Sequence, residues 1–182
     1  MQITNPVRRS LMAGAAAAAL MPMREVVAQT AAAKGDWMAM IKGHHALIAK
    51  TFDELLATDG KPAGRPAVMR KLAHQLTAHS VAEENVLYAA MAMNGMVSES
   101  DKLYLDQAHA KVMNHQLEMM AKMKDPKGWL DTAKAMQAAV LKHAKEDEEA
   151  TLFPKLAQAM DASKNAMLTA AYRREFSTVK QA

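Results

Sequence analysis

The sequence predicts an all-α fold, an antiparallel up-down-up-down four-helix bundle with a short C-terminal fifth helix. Three observations lead to this prediction. The chain of 182 residues has only 7 glycines and 6 prolines and is rich in alanine, leucine, methionine, lysine and glutamate. No alternating run of β-branched residues reaches the length of a strand. Long amphipathic segments are separated by short clusters of helix-breaking residues.

Four long helices are predicted in order along the chain, each marked by apolar residues that recur on one face. Pro66 is placed to open the second helix, Pro154 to kink the fourth, and Ser163 to cap the short fifth helix. The predicted spans of the four long helices are 37–56, about 66–93, about 100–124 and about 129–160.

The segment before the first helix, residues 1–33, is predicted to be a signal peptide that is removed. Arg8 and Arg9 precede the apolar stretch Leu11–Met21, which is too short for a membrane-spanning helix of about 20 residues. The arginine pair resembles a twin-arginine export signal, and an ordinary secretory leader is the alternative. Either predicts a periplasmic protein without a stable membrane anchor, whose mature domain is 34–182.

Composition limits the chemistry of any functional site. The chain has no cysteine, which excludes disulfides, thiol nucleophiles, zinc–thiolate sites and iron–sulfur clusters. A metal must therefore bind to nitrogen and oxygen atoms. The formal net charge of +4 falls to about +2 without Arg8, Arg9, Arg24 and Glu25 of the leader, which argues against nucleic acid as a partner.

The second predicted helix carries a histidine and a carboxylate in its apolar stripe. His79 and Glu83 are four residues apart, or about 40° around a helix with 3.6 residues per turn, so both could reach one metal ion. Burying an ionised carboxylate is costly unless a cation accompanies it. The pair therefore predicts a metal site inside the bundle.

The chain looks internally duplicated around this pair. His45 precedes His79 by 34 residues, and His109 precedes His143 by the same interval. Each half is predicted to hold a helix with one inward histidine and a helix with a histidine and an acid. The spacing favours His45 over His44 as the inward residue, with His44 as an outer partner or a solvated side chain.

Each of these elements also has a simpler interpretation. A lone histidine in an apolar stripe is usually a hydrogen-bonded core residue, and two adjacent glutamates are usually solvated. Four histidines in matched stripes, two of them paired with acids, favour a metal site instead. Nitrogen and oxygen ligands suit iron or manganese, and zinc remains chemically possible. His74 and His115 fall outside the repeat and are not predicted to be ligands.

These segments resemble the hemerythrin family, in its bacterial version with repeated His-His-Glu metal-binding motifs. The resemblance covers about residues 37–160 and is strongest over residues 41–55, 79–88 and 143–154. It implies a non-haem di-iron centre, bridged by carboxylate or oxo groups and open to oxygen, peroxide or nitric oxide. By position, the resemblance implies His45, His79, His109 and His143 as terminal ligands and Glu83 as a bridge.

The second bridging acid is either Asp147 or Glu148. Asp147 lies four residues after His143, the spacing found on the second helix, whereas Glu148 lies five residues after it, the spacing of oxygen-carrying hemerythrins. Register counted back from Leu152, which corresponds to Leu87, favours Glu148. This register requires one extra residue in the fourth helix, which a π-bulge before the proline could absorb.

The third helix departs from the oxygen carriers, because Met113 stands where they place a further histidine. One terminal ligand is therefore missing.

The leading hypothesis is a metal- and ligand-binding protein rather than an enzyme, which binds or senses oxygen or buffers iron or small reactive ligands. The alternatives are a di-iron enzyme that reduces peroxide or nitric oxide, with a redox partner that the sequence does not identify, and a metal-free helical scaffold.

Overall fold

A computed structural model of the protein describes residues 36–180, and this part of the chain contains helices and short connections without a strand. The predicted all-α fold is thus confirmed. The signal peptide predicted for residues 1–33 lies outside the described residues. Within 36–180, no helix combines the length and the apolar character needed to cross a membrane.

Five helices, named α1 to α5, follow one another along the described chain. α1 is Asp36–Leu56, and a short 3-10 turn at Pro62–Gly64 leads into α2. α2 comprises an α-helix Arg65–Ala82, a π-helical segment Glu83–Tyr88 and an α-helix Ala89–Met93. α3 is Val97–Met123. α4 comprises Pro126–Lys142, a π-helical segment His143–Leu152 and Phe153–Gln158, and α5 is Ala162–Thr178.

Proline and glycine set several of these boundaries. Pro66 lies in the first turn of α2, as predicted, and Pro126 lies in the first turn of α4, where a missing N–H breaks no intrahelical hydrogen bond. Gly95 follows α2 with φ +81°, a left-handed conformation that glycine adopts without a steric penalty. Both α3 and α4 begin about one turn earlier than the sequence pattern predicted.

The first four helices enclose a common core. Each of them packs against the next along the chain, and α1 also packs against α4. The buried apolar side chains form two separate clusters. The first contains Trp37, Ile41, Leu87, Tyr88, Leu103, Phe153 and Leu156 among others. The second contains Ile48, Phe52, Leu72, Met113, Leu117, Trp129 and Met136 among others. Each of the four helices contributes to both clusters.

α5 packs against α1 and α2 and is held at its N-terminal end by a buried amide. Asn165 is fully buried, and its Oδ1 accepts a hydrogen bond from the Trp37 indole N–H at 3.0 Å. The helix is 17 residues long, so it is longer than the short fifth helix expected. Its cap is Asp161, which accepts from the Lys164 N–H at 2.8 Å, and not Ser163, because the chain is already helical from residue 162.

Candidate metal centre

A layer of buried polar side chains lies between the two apolar clusters. Along each of the first four helices, its members fall between residues of one cluster and residues of the other. Four of them, His45 from α1, His79 and Glu83 from α2 and Glu148 from α4, each offer a ligand atom within 4.8 Å of the others. All four are buried.

The ligand atoms of these residues converge at short separations. His45 Nε2 lies 3.0 Å from His79 Nε2 and 3.2 Å from Glu148 Oε2. His79 Nε2 also lies 3.0 Å from Glu83 Oε2. Two ligands about 2.1 Å from one ion and at right angles to each other are about 3.0 Å apart. The observed separations are therefore those expected around a single cation.

Two carboxylate oxygens of the converging group indicate whether its residues are suited to a metal ion. Among residues 36–180, Glu83 Oε1 and Glu148 Oε2 have no hydrogen-bond partner although both side chains are fully buried. A buried acceptor without a donor is costly, and a buried charge without a partner is more so. A cation at this position would satisfy both oxygens, and the imidazole and carboxylate donor set suits iron, manganese or zinc. The residues fit a metal ion.

His143 lies on the opposite side of Glu148 from His45. Its Nε2 is 3.1 Å from Glu148 Oε1, whereas His45 Nε2 approaches the other oxygen, Oε2. Glu148 thus directs one carboxylate oxygen toward each histidine. This is the arrangement of a carboxylate that can bridge two metal positions.

The π-helical segment of α4 determines which acid faces the centre. A π-turn closes an i to i+5 hydrogen bond, so it brings His143 and Glu148, five residues apart, to the same face. Asp147 lies outside the converging group: its Oδ2 is 2.8 Å from Lys102 Nζ, and it forms a separate, less buried cluster with Asp106 and His143. The π-bulge expected before Pro154 is therefore present. The second π-helical segment, in α2, was not anticipated.

α3 contributes an amide to the centre instead of a histidine. Gln107 is buried, its Nε2 donates to Glu83 Oε2 at 2.8 Å, and its Oε1 accepts from the Ser80 hydroxyl. His109 is exposed and lies outside the converging group, which corrects the prediction that it turns inward. The reason is helical phase: Leu103 and Gln107 face the core, and His109 is roughly 200° further around α3 from Gln107.

A cavity of about 290 Å³ opens beside the centre between α3 and α4. The buried residues His45, His79 and His143 line it together with the exposed His109 and Lys102. It therefore connects the converging ligand atoms to the surface. Its size suits a small molecule and a few waters.

Each of the three inward histidines has a partner at Nδ1, the ring nitrogen that faces away from the centre. His45 Nδ1 lies 2.7 Å from Glu149 Oε1, and His143 Nδ1 lies 3.2 Å from Asp106 Oδ2. His79 Nδ1 lies 3.2 Å from a tyrosine hydroxyl of α5. Such outer partners fix the tautomer and the ring orientation of metal-binding histidines. The three imidazoles therefore present Nε2 to the centre in a fixed orientation.

The tyrosine behind His79 is Tyr172, which sequence reasoning did not single out. Its hydroxyl also lies 2.9 Å from His44 Nδ1, and the His44 ring stacks on Phe176 with ring centroids 3.8 Å apart. His44 is thus an outer partner, one of the two positions the sequence analysis allowed. α5 supports the centre although it supplies none of its converging atoms.

Tyr88 was also not predicted as a site residue. It is fully buried, and its hydroxyl donates to Glu148 Oε1 at 2.6 Å and accepts from Gln107 Nε2 at 3.1 Å. The same oxygen lies 3.2 Å from Glu83 Oε2 and 3.2 Å from His143 Nε2. The sequence signal was its spacing, since Tyr88 follows Glu83 by the same five residues that separate His143 from Glu148.

The charges of the centre depend strongly on one another. Burial, reinforced by the charge of Glu148, raises the pKa of Glu83 well above its ordinary value. Burial alone would raise the pKa of Glu148 as well, but the charge and hydrogen bond of His143 lower it below its usual range. Burial alone would lower the pKa of His143, but Glu148 raises it to about 9. Burial lowers the pKa of His79 to about 4.

These features define a class of protein: a helical bundle whose inward imidazoles and carboxylates could hold a metal ion. Residues 38–156 match the profile of the family described as hemerythrin HHE cation binding domain, and the chain belongs to this family. Domains of this type bind metal ions, typically iron, and small ligands. No curated protein and no solved structure matches the chain. Tyr172 lies beyond the matched range.

The two adjacent acids of α4 provide a matched test of the centre. Glu148→Gln is expected to weaken metal binding by more than about 100-fold, because even the loss of an outer partner costs 10–100-fold in affinity. Asp147→Asn should reduce metal affinity much less, since Asp147 lies outside the converging group and pairs with Lys102. Competition with a chelator measures both. Equal losses in the two variants would contradict the orientation described.

Metal binding is also expected to depend on pH. In the metal-free protein at pH 7, His143 carries a proton because its pKa is raised to about 9. Glu83 keeps its proton to a higher pH than an ordinary glutamate does, because its pKa is also raised. A metal ion must displace these protons, so its affinity should rise as the pH increases toward about 9.

Anaerobic calorimetry with Fe²⁺ at pH 7, in buffers of different ionisation enthalpy, measures the protons released. The heat of binding should change with the buffer. A heat that is the same in every buffer would show that no proton leaves the centre and would refute this assignment of charges.

Proposed function

We propose that this protein is a non-haem di-iron protein that binds or senses oxygen, or buffers iron or small reactive ligands. The observation that carries the proposal is Glu148, which directs one oxygen toward His45 and the other toward His143. One carboxylate between two sets of imidazole nitrogens is suited to two metal ions rather than one.

Under this proposal, the side chains would form two iron-binding positions. His45 and His79 would hold the first iron, and His143 would hold the second. Glu83 and Glu148 would be shared between the two. Iron bound here would supply a redox-active Lewis acid with room for an exogenous ligand.

The protein itself provides orientation and exclusion of water. The outer partners of the three histidines keep each Nε2 directed at the centre before any metal arrives. Apolar clusters lie on both sides of the centre, and the cavity between α3 and α4 provides a route to it. A small ligand that enters this cavity would meet His45, His79 and His143.

The proposed architecture is an up-down-up-down bundle. Its support is the order of the two apolar clusters along each helix. α1 passes from the cluster of Trp37 to the cluster of Phe52, and α2 passes in the opposite order, from Leu72 to Leu87. α3 again follows the order of α1, and α4 follows that of α2. Helices that alternate in this way run in alternating directions.

We also propose that the protein acts in the periplasm, after export by the signal peptide predicted for residues 1–33. The support is the sequence layout alone, an arginine pair followed by a short apolar stretch. Fractionation of cells that express the full chain would decide this, since mature protein confined to the cytoplasm would exclude export.

Iron loading tests the proposed function. The mature chain, loaded anaerobically with Fe²⁺, is expected to bind about two iron ions and to unfold at a higher temperature. The stabilisation should reach about 2.7 kcal/mol at a free iron concentration 100 times the Kd. His79→Ala should lose iron and the stabilisation, whereas His74→Ala, outside the converging group, should keep both.

Two outcomes separate the alternatives. A chain that binds no iron, and whose stability is the same with iron or with a chelator, would be a metal-free scaffold. Steady turnover of peroxide or nitric oxide with a reductant would favour the redox enzyme, whereas reaction with a single equivalent fits a binding protein.

A further inference from the structure

The second metal position receives few ligands from histidine and carboxylate side chains. His143, Glu148 and Glu83 approach it, and α3 directs the amide of Gln107 toward it instead of the histidine that the repeat predicted, His109. The whole of Val97–Met123 lies in the described range, and its two histidines, His109 and His115, are exposed. A second iron would therefore have fewer protein ligands than the first.

The Tyr88 oxygen lies where a further ligand would be. It is 3.2 Å from His143 Nε2, 2.6 Å from Glu148 Oε1 and 3.2 Å from Glu83 Oε2. These separations are close to the spacing of about 3.0 Å between neighbouring ligands of one ion. Tyr88 thus places an oxygen next to His143 and next to the same two carboxylates that His45 and His79 approach.

Groups that can bind a metal ion surround the Tyr88 oxygen. It lies within 3.2 Å of atoms of Glu148, Glu83 and His143, and it accepts from Gln107. Imidazole nitrogen and carboxylate oxygen are ligands that suit iron. A cation among the imidazole and the two carboxylates would therefore lie within reach of the phenol oxygen.

We propose that Tyr88 is a direct ligand of the second metal ion and binds through its phenolate oxygen. This inference rests on the proposed di-iron function. On binding, the phenol O–H bond breaks, the oxygen–metal bond forms, and the proton leaves to solvent through the cavity beside His143. No electron is transferred in this step. The Gln107 amide, which already donates to the Tyr88 oxygen at 3.1 Å, would hold the phenolate in place.

A phenolate ligand has a consequence for the chemistry of the centre. An anionic oxygen donor stabilises Fe³⁺ more than Fe²⁺, so Tyr88 would bias the second iron toward its oxidised state. A centre biased in this way suits the handling of iron or oxidising ligands better than the repeated release of unchanged oxygen.

Spectroscopy of the ferric protein tests the proposal, and Tyr104 provides the control variant because its hydroxyl donates to a backbone carbonyl. Iron-loaded, oxidised wild type is expected to show a visible phenolate-to-iron charge-transfer band, with enhanced tyrosine ring vibrations in resonance Raman spectra. Tyr88→Phe should abolish both. Tyr104→Phe should retain them, since the Tyr104 hydroxyl donates to the Glu84 backbone carbonyl.

The outcomes distinguish this proposal from the proposed function. Wild type that binds no iron refutes the di-iron function itself. Wild type that binds two iron ions without a phenolate band, or a band that survives Tyr88→Phe, refutes the tyrosine ligand and leaves the di-iron function standing. Should Tyr88→Phe fail to fold, wild type grown with ring-deuterated tyrosine provides the second test: the enhanced vibrations must shift, and unshifted vibrations would overturn the proposal.

Discussion

Two carboxylates buried side by side at the middle of the bundle are the constraint on which the rest of the structure depends. Glu83 and Glu148 are fully buried, and each retains one oxygen without a hydrogen-bond donor among the described residues. Apolar clusters on both sides keep water from these groups, so an ionised carboxylate here is costly unless a proton or a cation accompanies it. The inward imidazoles, the Gln107 amide and the Tyr88 hydroxyl are all directed at relieving this cost.

A second layer of contacts, made by the outer partners of the imidazoles, keeps the inward side chains of the centre in position. The three imidazoles are held by partners from different elements: Glu149 within α4, Asp106 from α3 and Tyr172 from α5. The last of these contacts explains why the fifth helix is docked so firmly. Asn165, which is fully buried, ties the start of α5 to Trp37 at the start of α1, and the rest of the helix then brings Tyr172 against His79.

Sequence reasoning predicted the helices and much of the centre because both are encoded in spacing. Apolar periodicity located α1 to α4, and the pairing of histidine with acid in a buried stripe located His79 and Glu83. Counting register from Leu152 even indicated the π-helical segment of α4. The same approach failed for His109, because a constant interval between histidines does not fix the rotation of the helix that carries them. Gln107 and Tyr172 are neutral residues whose roles appear only once the helices that they join have been packed together, and Tyr88 offered only its spacing from Glu83 as a signal.

The π-helical segment of α4 places three successive acids in three different environments. Asp147 reaches Lys102 on α3, Glu148 enters the centre, and Glu149 holds the ring of His45 on α1. A chain shortened by one residue here could regain an ordinary α-helix and still present an acid inward, four residues after His143. Such a chain would lose either the ion pair with Lys102 of α3 or the contact that orients His45. The π-helical segment therefore fixes how α1, α3 and α4 are positioned against one another. The number of residues in this segment is constrained as strictly as their identity.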